Sequence, residues 1–237
     1  MEFNVLTYNI RLGLDSSIAA IAEAIKTEGV PDLIALQEVG RYWQMGECID
    51  QTQVLSRALG LHGHFCGALT DANQGQFGIA LLSRHPMLDL RRTELPRVDD
   101  EQRVLLEARI DTPVPLTVLT SHFSIHESER RQQAAIMAEK ASQSQTPVIA
   151  LGDFNAKPDS VEYEVLTVPM TDAFASRGIG PSDTFSVRSP HRQIDYVMTG
   201  SGAAAIKTCR VLRHIRTSDH FPLAACIQLT PPPDDEK

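Results

Sequence analysis

The sequence has few cysteines, and they form no recognisable site. Cys48, Cys66, Cys209 and Cys226 stand far apart, without a CxxC pair or a Cys/His spacing typical of zinc sites. In a chain of 237 residues this spacing excludes a disulfide framework. The pattern predicts ordinary reduced thiols and a reducing compartment.

The sequence also has no excess of positive charge and no long hydrophobic run. Its 22 basic and 30 acidic residues give a formal net charge of −8, which argues against a protein that coats duplex DNA through a broad basic face. No uncharged apolar run approaches about 18 residues, so we expect no membrane span. Glu2 and Asn4 stand where a signal peptide would need a basic and then an apolar stretch. We therefore expect a cytoplasmic protein, and we expect it to be a monomer.

Glycine-rich phosphate-binding loops are absent as well, since neither GxGxxG nor GxxxxGKS/T occurs. What the sequence does contain is an alternation of strand and helix patterns. Strands are predicted over 3–10, 32–37, 77–83, 87–94, 103–110, 116–122, 147–152, 194–199, 206–212 and 221–229. Helices are predicted over 51–59 and 127–142, and Ser16 is a candidate N-cap for a helix with an apolar stripe at Ile18, Ile21, Ala22 and Ile25.

This order of elements predicts an α/β fold. Helices alternate with strands near both ends, and a series of adjacent strands lies between them, which favours a four-layer α/β sandwich. In that architecture two mostly antiparallel or mixed β-sheets pack face to face, with the helices outside. We expect a single domain over 1–230 and a disordered acidic tail over 231–237, where three prolines precede the final charges.

Polar residues stand at the ends of several apolar strands. They are Asn9, Glu38, His122, Asp153, Asn155, Asp195, Asp219 and His220. Taken singly, each has an ordinary interpretation: Asn9 as a turn residue, Glu38 as a solvated strand end, His122 as a hydrogen-bonded core histidine. Together they indicate a site, because strand ends and loops are where functional groups gather in layered sheets.

The donor types at these positions indicate a hard metal ion. Carboxylates and amides predominate and no cysteine is among them, which suits Mg²⁺ or Mn²⁺ better than zinc. Mg²⁺ is typically held by one or two carboxylates together with phosphate oxygens of a substrate. The set therefore favours attack of water on phosphorus with the help of one or two such ions.

Seven segments in order carry a family resemblance. They are LTYNIR, LIALQE, FGIALLSR, TSHF, ALGDFN, IDYVM and TSDHFPL, which lie between residues 3 and 223. With them the chain resembles the endonuclease/exonuclease/phosphatase superfamily of deoxyribonucleases, abasic-site endonucleases, sphingomyelinases, inositol-polyphosphate phosphatases and tyrosyl-DNA phosphodiesterases. The resemblance implies that Asn9, Glu38 and Asp219 surround a divalent ion. It also implies that Asp153 and Asn155 orient the attacking water, hold phosphoryl oxygens and, in some members, bind a second ion.

The same resemblance implies the catalytic roles. His220 corresponds to the histidine that acts as a base or stabilises the pentacovalent state, and Asp195 to the acid that orients it. His122 corresponds to a second histidine that protonates the leaving oxygen, work for which imidazole is suited near neutral pH. Deoxyribonucleases pair that histidine with a glutamate near the FGIALLSR segment, where this sequence has Gln76, Phe77, Gly78 and Ile79.

Several other residues invite interpretation. We expect Arg11 and Arg84 to contact substrate, and Arg130 and Arg131 to lie on a solvated helix face. Trp43 either stacks on a substrate or packs beneath a loop, and the sequence leaves this open.

The sequence predicts a divalent-metal-dependent phosphohydrolase, most readily a phosphodiesterase acting on a phosphate ester. A DNA endonuclease, exonuclease or end-processing nuclease of the same fold is an alternative, so nucleic acid is a candidate partner. A binding module that has kept the fold and lost the chemistry is another alternative.

Overall fold

The computed structural model describes residues 1–200 and 204–230, and two β-sheets dominate it. The strands are β1 Glu2–Asn9, β2 Leu33–Arg41, β3 His62–Thr70, β4 Gln76–Ser83, β5 Met87–Glu94, β6 Val104–Ile110, β7 Leu116–His122, β8 Val148–Asp153, β9 Met170–Asp172, β10 Gly178–Ile179, β11 Asp195–Gly200, β12 Ala204–Val211 and β13 Leu223–Leu229. The helices are α1 Ile18–Lys26, α2 Gln51–Leu59, α3 Glu127–Gln143, α4 Val161–Thr167 and α5 Ala173–Arg177. The tail predicted over 231–237 lies outside the described residues.

The strands form two mixed sheets that pack face to face. The first has seven strands in the order β10-β12-β13-β1-β2-β4-β3, and the second has six in the order β5-β6-β7-β8-β11-β9. The core between them combines buried side chains of both sheets, such as Val5 and Ala35 from the first and Leu106, Val118 and Ile149 from the second. Burial of this apolar area from water is the main force that holds the sheets together.

Helices cover the outer faces of both sheets and complete the four layers. Ile18, Ile21 and Ile25 of α1 pack with Leu55 of α2 on the outside of the seven-stranded sheet. Met137 of α3 packs with residues of α4 on the outside of the six-stranded sheet. The predicted four-layer α/β sandwich is therefore confirmed. No helix in the described ranges is long and apolar enough to cross a membrane.

The structure corrects several local predictions. Ser17, not Ser16, caps α1, because its side chain accepts the amide hydrogen of Ala20. The sequence patterns missed β3, α4, α5 and the short strands β9 and β10. β3 contains two glycines and two histidines and lies at a sheet edge, so it lacks the apolar alternation that predicts a half-buried strand. The four cysteines are free, as the absence of CxxC pairs predicted.

Candidate active site

The six-stranded sheet aligns three of the predicted residues at one edge. His122 ends β7, Asp153 ends the parallel strand β8, and Asp195 begins the antiparallel strand β11. In the ladder, His122 pairs with Asp153 and Asp153 pairs with Asp195. Gly152 permits this close pairing, because a Cβ there would lie 2.1 Å from the carbonyl oxygen of Ser121. The glycine of the GDFN segment is therefore required by its close approach to the backbone of β7.

The seven-stranded sheet supplies Asn9 and Glu38. Asn9 ends β1, and Glu38 lies near the end of the neighbouring strand β2. Glu38 adopts a left-handed conformation with φ of 52°, and the pairing of β2 with β4 shifts register between Leu36 and Val39. Such a bulge redirects one side chain out of the regular alternation of a strand. It places the Glu38 carboxylate beside Asn9.

Asn9 joins the two sheets through its side-chain amide. Its Nδ2 donates to Glu38 Oε1 at 2.9 Å and to Asp153 Oδ2 at 3.1 Å. Its Oδ1 accepts the backbone N–H of Arg11 at 3.0 Å. Because Asn9 is fully buried, these bonds fix the carboxylates of Glu38 and Asp153 relative to each other. One asparagine therefore organises both halves of the candidate site.

His220 and Asp195 form a buried pair. His220 Nδ1 lies 2.9 Å from Asp195 Oδ2, and His220 Nε2 lies 3.6 Å from Asp153 Oδ2. The ring of Phe185 packs against the imidazole with a centroid separation of 4.8 Å. Thr184 Oγ1 accepts the amide hydrogen of Asp195 at 3.2 Å. The histidine is thus held in one orientation from two sides.

The charges of this cluster are strongly coupled. Burial and the neighbouring charge of Asp195 raise the pKa of Asp153 to about 7. Burial disfavours charged His220, but Asp195 and Asp153 outweigh burial and raise its pKa well above the ordinary value. Burial also raises the pKa of Glu38, and the charge of Asp219 adds to the effect. The cluster is therefore short of positive charge.

The donor set fits a hard divalent cation. Asp153, Asp195 and His220 offer ligand atoms that all lie within 4.8 Å of one another. His220 Nδ1 is already bonded to Asp195, whereas the buried Oδ1 of Asp195 has no hydrogen-bond partner. Crowded carboxylates with an unsatisfied oxygen are what a metal ion would compensate. The Glu38 carboxylate lies beside this group, because Asn9 Nδ2 donates to both Glu38 and Asp153.

The remaining predicted residues lie at different distances from this cluster. Arg11 stands at its rim, with Nε 3.5 Å from Asp219 Oδ2. The structure does not bring Arg84 to the site. Arg84 follows β4 at the end of the sheet opposite Glu38, where its Nε lies 2.7 Å from Asp32 Oδ1. Arg84 is therefore not part of the cluster, and its contact with substrate stays a prediction.

Two other expectations are settled by packing. Arg130 was expected on a solvated face, but its side chain is 14% exposed and its Nε lies 3.4 Å from Glu162 Oε1. The prediction is wrong because α4, which carries Glu162, covers this part of α3. Trp43 packs against Phe77 with a ring separation of 5.8 Å, which supports the packing interpretation.

Arg103 and Phe185, which the sequence motifs did not indicate, complete the site around the two histidines. Arg103 Nη1 lies 3.0 Å from His122 Nδ1, and Asn155 Nδ2 lies 3.2 Å from His122 Nε2. Burial and the charge of Arg103 lower the pKa of His122 well below the ordinary value. Arg103 and Phe185 were missed because each contacts a histidine that is distant in sequence. No spacing pattern reports such a contact.

Comparison with known proteins places the chain in a family. The model of the endonuclease/exonuclease/phosphatase family matches residues 6–220. An endonuclease/exonuclease/phosphatase from Beutenbergia cavernae DSM 12333 superposes with a TM-score of 0.81 at 21% identity, covering 96% of this chain and 72% of the other. The comparison with curated proteins gives no match.

Two similar structures have more specific descriptions. The mannosyl-6-phosphatase of Bacteroides thetaiotaomicron VPI-5482 has a TM-score of 0.77 at 18% identity, covering 96% of this chain and 99% of that one. TDP2 of D. rerio, complexed with a single-strand DNA product, has a TM-score of 0.75 at 19% identity with the same coverage. At these identities the similarity shows the shared fold. The match over residues 6–220 shows more: the chain belongs to the endonuclease/exonuclease/phosphatase family.

Proposed function

We propose that the protein is a divalent-metal-dependent phosphohydrolase that cleaves a P–O bond of a phosphate ester, with phosphodiesters as the preferred class. The observation that carries this proposal is the junction of the two sheets. There Asn9 connects Glu38 to Asp153, and the His220–Asp195 pair faces the same Asp153. Carboxylates, an amide and an oriented imidazole in one buried cluster are the groups that hydrolysis of a phosphate ester requires.

The roles follow from the contacts. Mg²⁺ or Mn²⁺, one ion or two, would be held by Glu38 and Asp153 with Asn9, Asn155 and Asp219 nearby, and would neutralise charge on the phosphoryl oxygens. Asp153, held by Asn9, would orient the attacking water and accept its proton. The water oxygen forms a bond to phosphorus as the bond to the leaving oxygen breaks on the opposite side.

His220 supports the same step from the other side of Asp153. Asp195 and Asp153 favour its charged form, so its Nε2–H is suited to donate a hydrogen bond to a phosphoryl oxygen. Asp195 holds the ring through Nδ1 and fixes the direction of that donor. An inactive binding module would have no need for this pair. Its presence together with Glu38 and Asp153 favours an enzyme.

The class of ester is a separate question. The similar structures include a sugar phosphatase and a protein with a single-strand DNA product, so monoesters and nucleic-acid diesters are both substrates to test. A DNA nuclease or end-processing nuclease is therefore the second candidate. The net charge of −8 favours small or single-stranded substrates over a long duplex.

The test is hydrolysis of bis-p-nitrophenyl phosphate, p-nitrophenyl phosphate, supercoiled plasmid and a single-stranded oligonucleotide, each with Mg²⁺, Mn²⁺ or EDTA. We expect metal-dependent turnover that Asp153→Ala abolishes and that His214→Gln leaves unchanged. His214 is a matched histidine control, because it is exposed and pairs with Glu28 away from the cluster. No turnover on any substrate, together with no binding of either ion by calorimetry, would instead support the binding module.

A further inference from the structure

The second histidine of the site has an unusual neighbour. His122 is buried at the end of β7, and its Nδ1 lies 3.0 Å from Nη1 of Arg103. A guanidinium group carries only donors, so the nitrogen that faces it must accept. The neutral imidazole of His122 therefore carries its hydrogen on Nε2.

The surroundings of Nε2 agree with this assignment. Asp153 Oδ2 lies 3.5 Å from Nε2 and is an acceptor. Asn155 Nδ2 also lies 3.2 Å from Nε2, but it donates to the carbonyl oxygen of Phe123 at 3.0 Å. The Asn155 amide thus directs one of its two hydrogens to that carbonyl oxygen, and the acceptor beside Nε2 is Asp153, toward which the Nε2 hydrogen points.

Arg103 is held firmly in place. Its side chain is 7% exposed, and Nη2 lies 3.5 Å from Asp100 Oδ2 and 3.6 Å from Glu101 Oε2. Asp100 Oδ2 also accepts from Ser124 Oγ at 2.7 Å and from the amide of Ile125 at 2.9 Å. Since Ser124 and Ile125 follow His122 along the chain, one carboxylate ties the arginine to the segment that carries the histidine.

The loop before Arg103 has its own anchor. The Glu129 carboxylate accepts the backbone N–H groups of Val98 and Asp99 at 2.6 and 2.7 Å. These bonds lower the pKa of Glu129 to about 2, so the anchor is ionised at neutral pH. Arg103 therefore approaches His122 from a loop that is anchored at Val98, Asp99 and Asp100.

β4, which carries the FGIALLSR segment, provides no carboxylate partner for His122. Phe77, Gly78 and Ile79 of β4 line a small cavity together with Arg103 and His122. A side chain at residue 78 would place its Cβ 2.2 Å from the carbonyl oxygen of Cys66, and residues 77 and 79 are apolar, so this strand presents no carboxylate there. In the described parts of the chain, the only carboxylate within 4.0 Å of the His122 ring is Asp153, on the Nε2 side.

We propose that Arg103 is a positioning residue that fixes His122 as the Nε2–H tautomer, so that His122 donates a hydrogen bond to a phosphoryl or leaving oxygen. In this chain the imidazole is paired with a cation rather than with a carboxylate. The catalytic consequence rests on the proposed function, whereas the tautomer does not depend on it. In this proposal Arg103 acts on the reaction by positioning His122, and it does not itself need to contact the substrate.

The test is ¹⁵N NMR of histidine-labelled protein in Mg²⁺ buffer, with His122→Gln to assign the two ring nitrogens. We expect the wild type to show a protonated Nε2 and an unprotonated Nδ1. Arg103→Met should lose this tautomer preference, while Arg103→Gln, which keeps a donor without the charge, should retain it. Arg109→Met is the control, because Arg109 lies on β6 and pairs with the exposed Asp89.

Kinetics on bis-p-nitrophenyl phosphate provide the second measurement. We expect Arg103→Met to lower kcat about 10- to 100-fold with little change in KM, and Arg103→Gln to recover most of the loss. A wild-type ring with hydrogen on Nδ1 would overturn the proposal, even if Arg103→Met fails to fold. A folded Arg103→Met with unchanged tautomer and kcat would overturn it too. An Nε2–H ring in a protein without hydrolytic activity would instead count against the proposed function alone.

Discussion

Replacing Asp153 with asparagine should stabilise the metal-free protein while abolishing its activity. Asp153 is 1% exposed, and burial and Asp195 raise its pKa from 3.8 to about 7. A carboxyl group whose pKa is raised on folding opposes folding whenever it is ionised. That cost is absent below pH 3.8, grows between the two values and is complete above about pH 7. Asp153→Asn removes it.

The change in the free energy of unfolding follows from the pKa shift of Asp153 on folding and from one lost hydrogen bond. At about 1.4 kcal/mol for each tenfold change in proton affinity, the interval from 3.8 to about 7 corresponds to about 4 kcal/mol at most. The pKa shift to about 7 already includes the attraction between the Asp153 carboxylate and His220. Against it, an asparagine has one acceptor oxygen where Asp153 has two. Since Oδ1 accepts the backbone N–H of Asn155 at 3.0 Å and Oδ2 accepts from Asn9 Nδ2 at 3.1 Å, one of these bonds would be lost, at a cost of about 1–3 kcal/mol. The net gain is about 1–3 kcal/mol, or a few degrees in Tm.

The assay is denaturant unfolding in EDTA at pH 8 and at pH 4. We expect Asp153→Asn to exceed the wild type in stability at pH 8 and to fall below it near pH 4, where the lost hydrogen bond remains and the cost of ionising Asp153 is nearly absent. Added Mg²⁺ should stabilise the wild type by mass action and close the gap. Asp89→Asn, at an exposed position, is the control and should stay within about 0.5 kcal/mol of the wild type. An Asp153→Asn variant less stable than the wild type at pH 8 would refute the reasoning.

Three further predictions concern the ion, the histidine pair and the loop anchor. Glu38→Gln should weaken Mg²⁺ binding at least about tenfold, and titration calorimetry showing wild-type affinity would remove Glu38 from the ligand set. His220→Gln should lower kcat about 100-fold or more in steady-state assays, and a folded variant with wild-type turnover would contradict its role. Glu129→Gln should unfold more easily than the wild type above pH 4.5, because the amides of Asp99 and Val98 favour the ionised carboxylate. Its deficit in urea unfolding should shrink as the pH falls toward 2, and a constant deficit would exclude this cause.

The sequence was informative where periodicity and motif coincide. The apolar stripe of α1 reports its buried face, because a helix repeats that face every three or four residues. α3 was predicted from its helix formers alone, and its buried side includes the polar Glu129 and Gln133. The strand-end positions of Asp153 and His122 also report the site, because parallel neighbours end at the same edge of a sheet.

The features that were missed depend on contacts between distant segments. The positions of Arg103 against His122, and of Arg130 beneath α4, result from how loops and helices pack against the sheets. Arg84 shows the opposite case. It belongs to a matching segment, but β4 runs antiparallel to β2 and carries it away from Glu38. Membership of a motif does not fix the end of the strand at which a side chain emerges.

The strand order has a consequence for the growing chain on the ribosome. Among the strands of the described residues β13 comes last in sequence, yet it lies in the interior of its sheet, between β12 and β1. Until it is synthesised, β1 presents a bare edge of unpaired amide and carbonyl groups, which is a hazard for association with other nascent chains. His220 shortly precedes this strand, so the proposed reaction and the closure of the sheet become available together. A partly synthesised chain would therefore be prone to association and would lack activity. The synthesis and pairing of β13 would end both conditions.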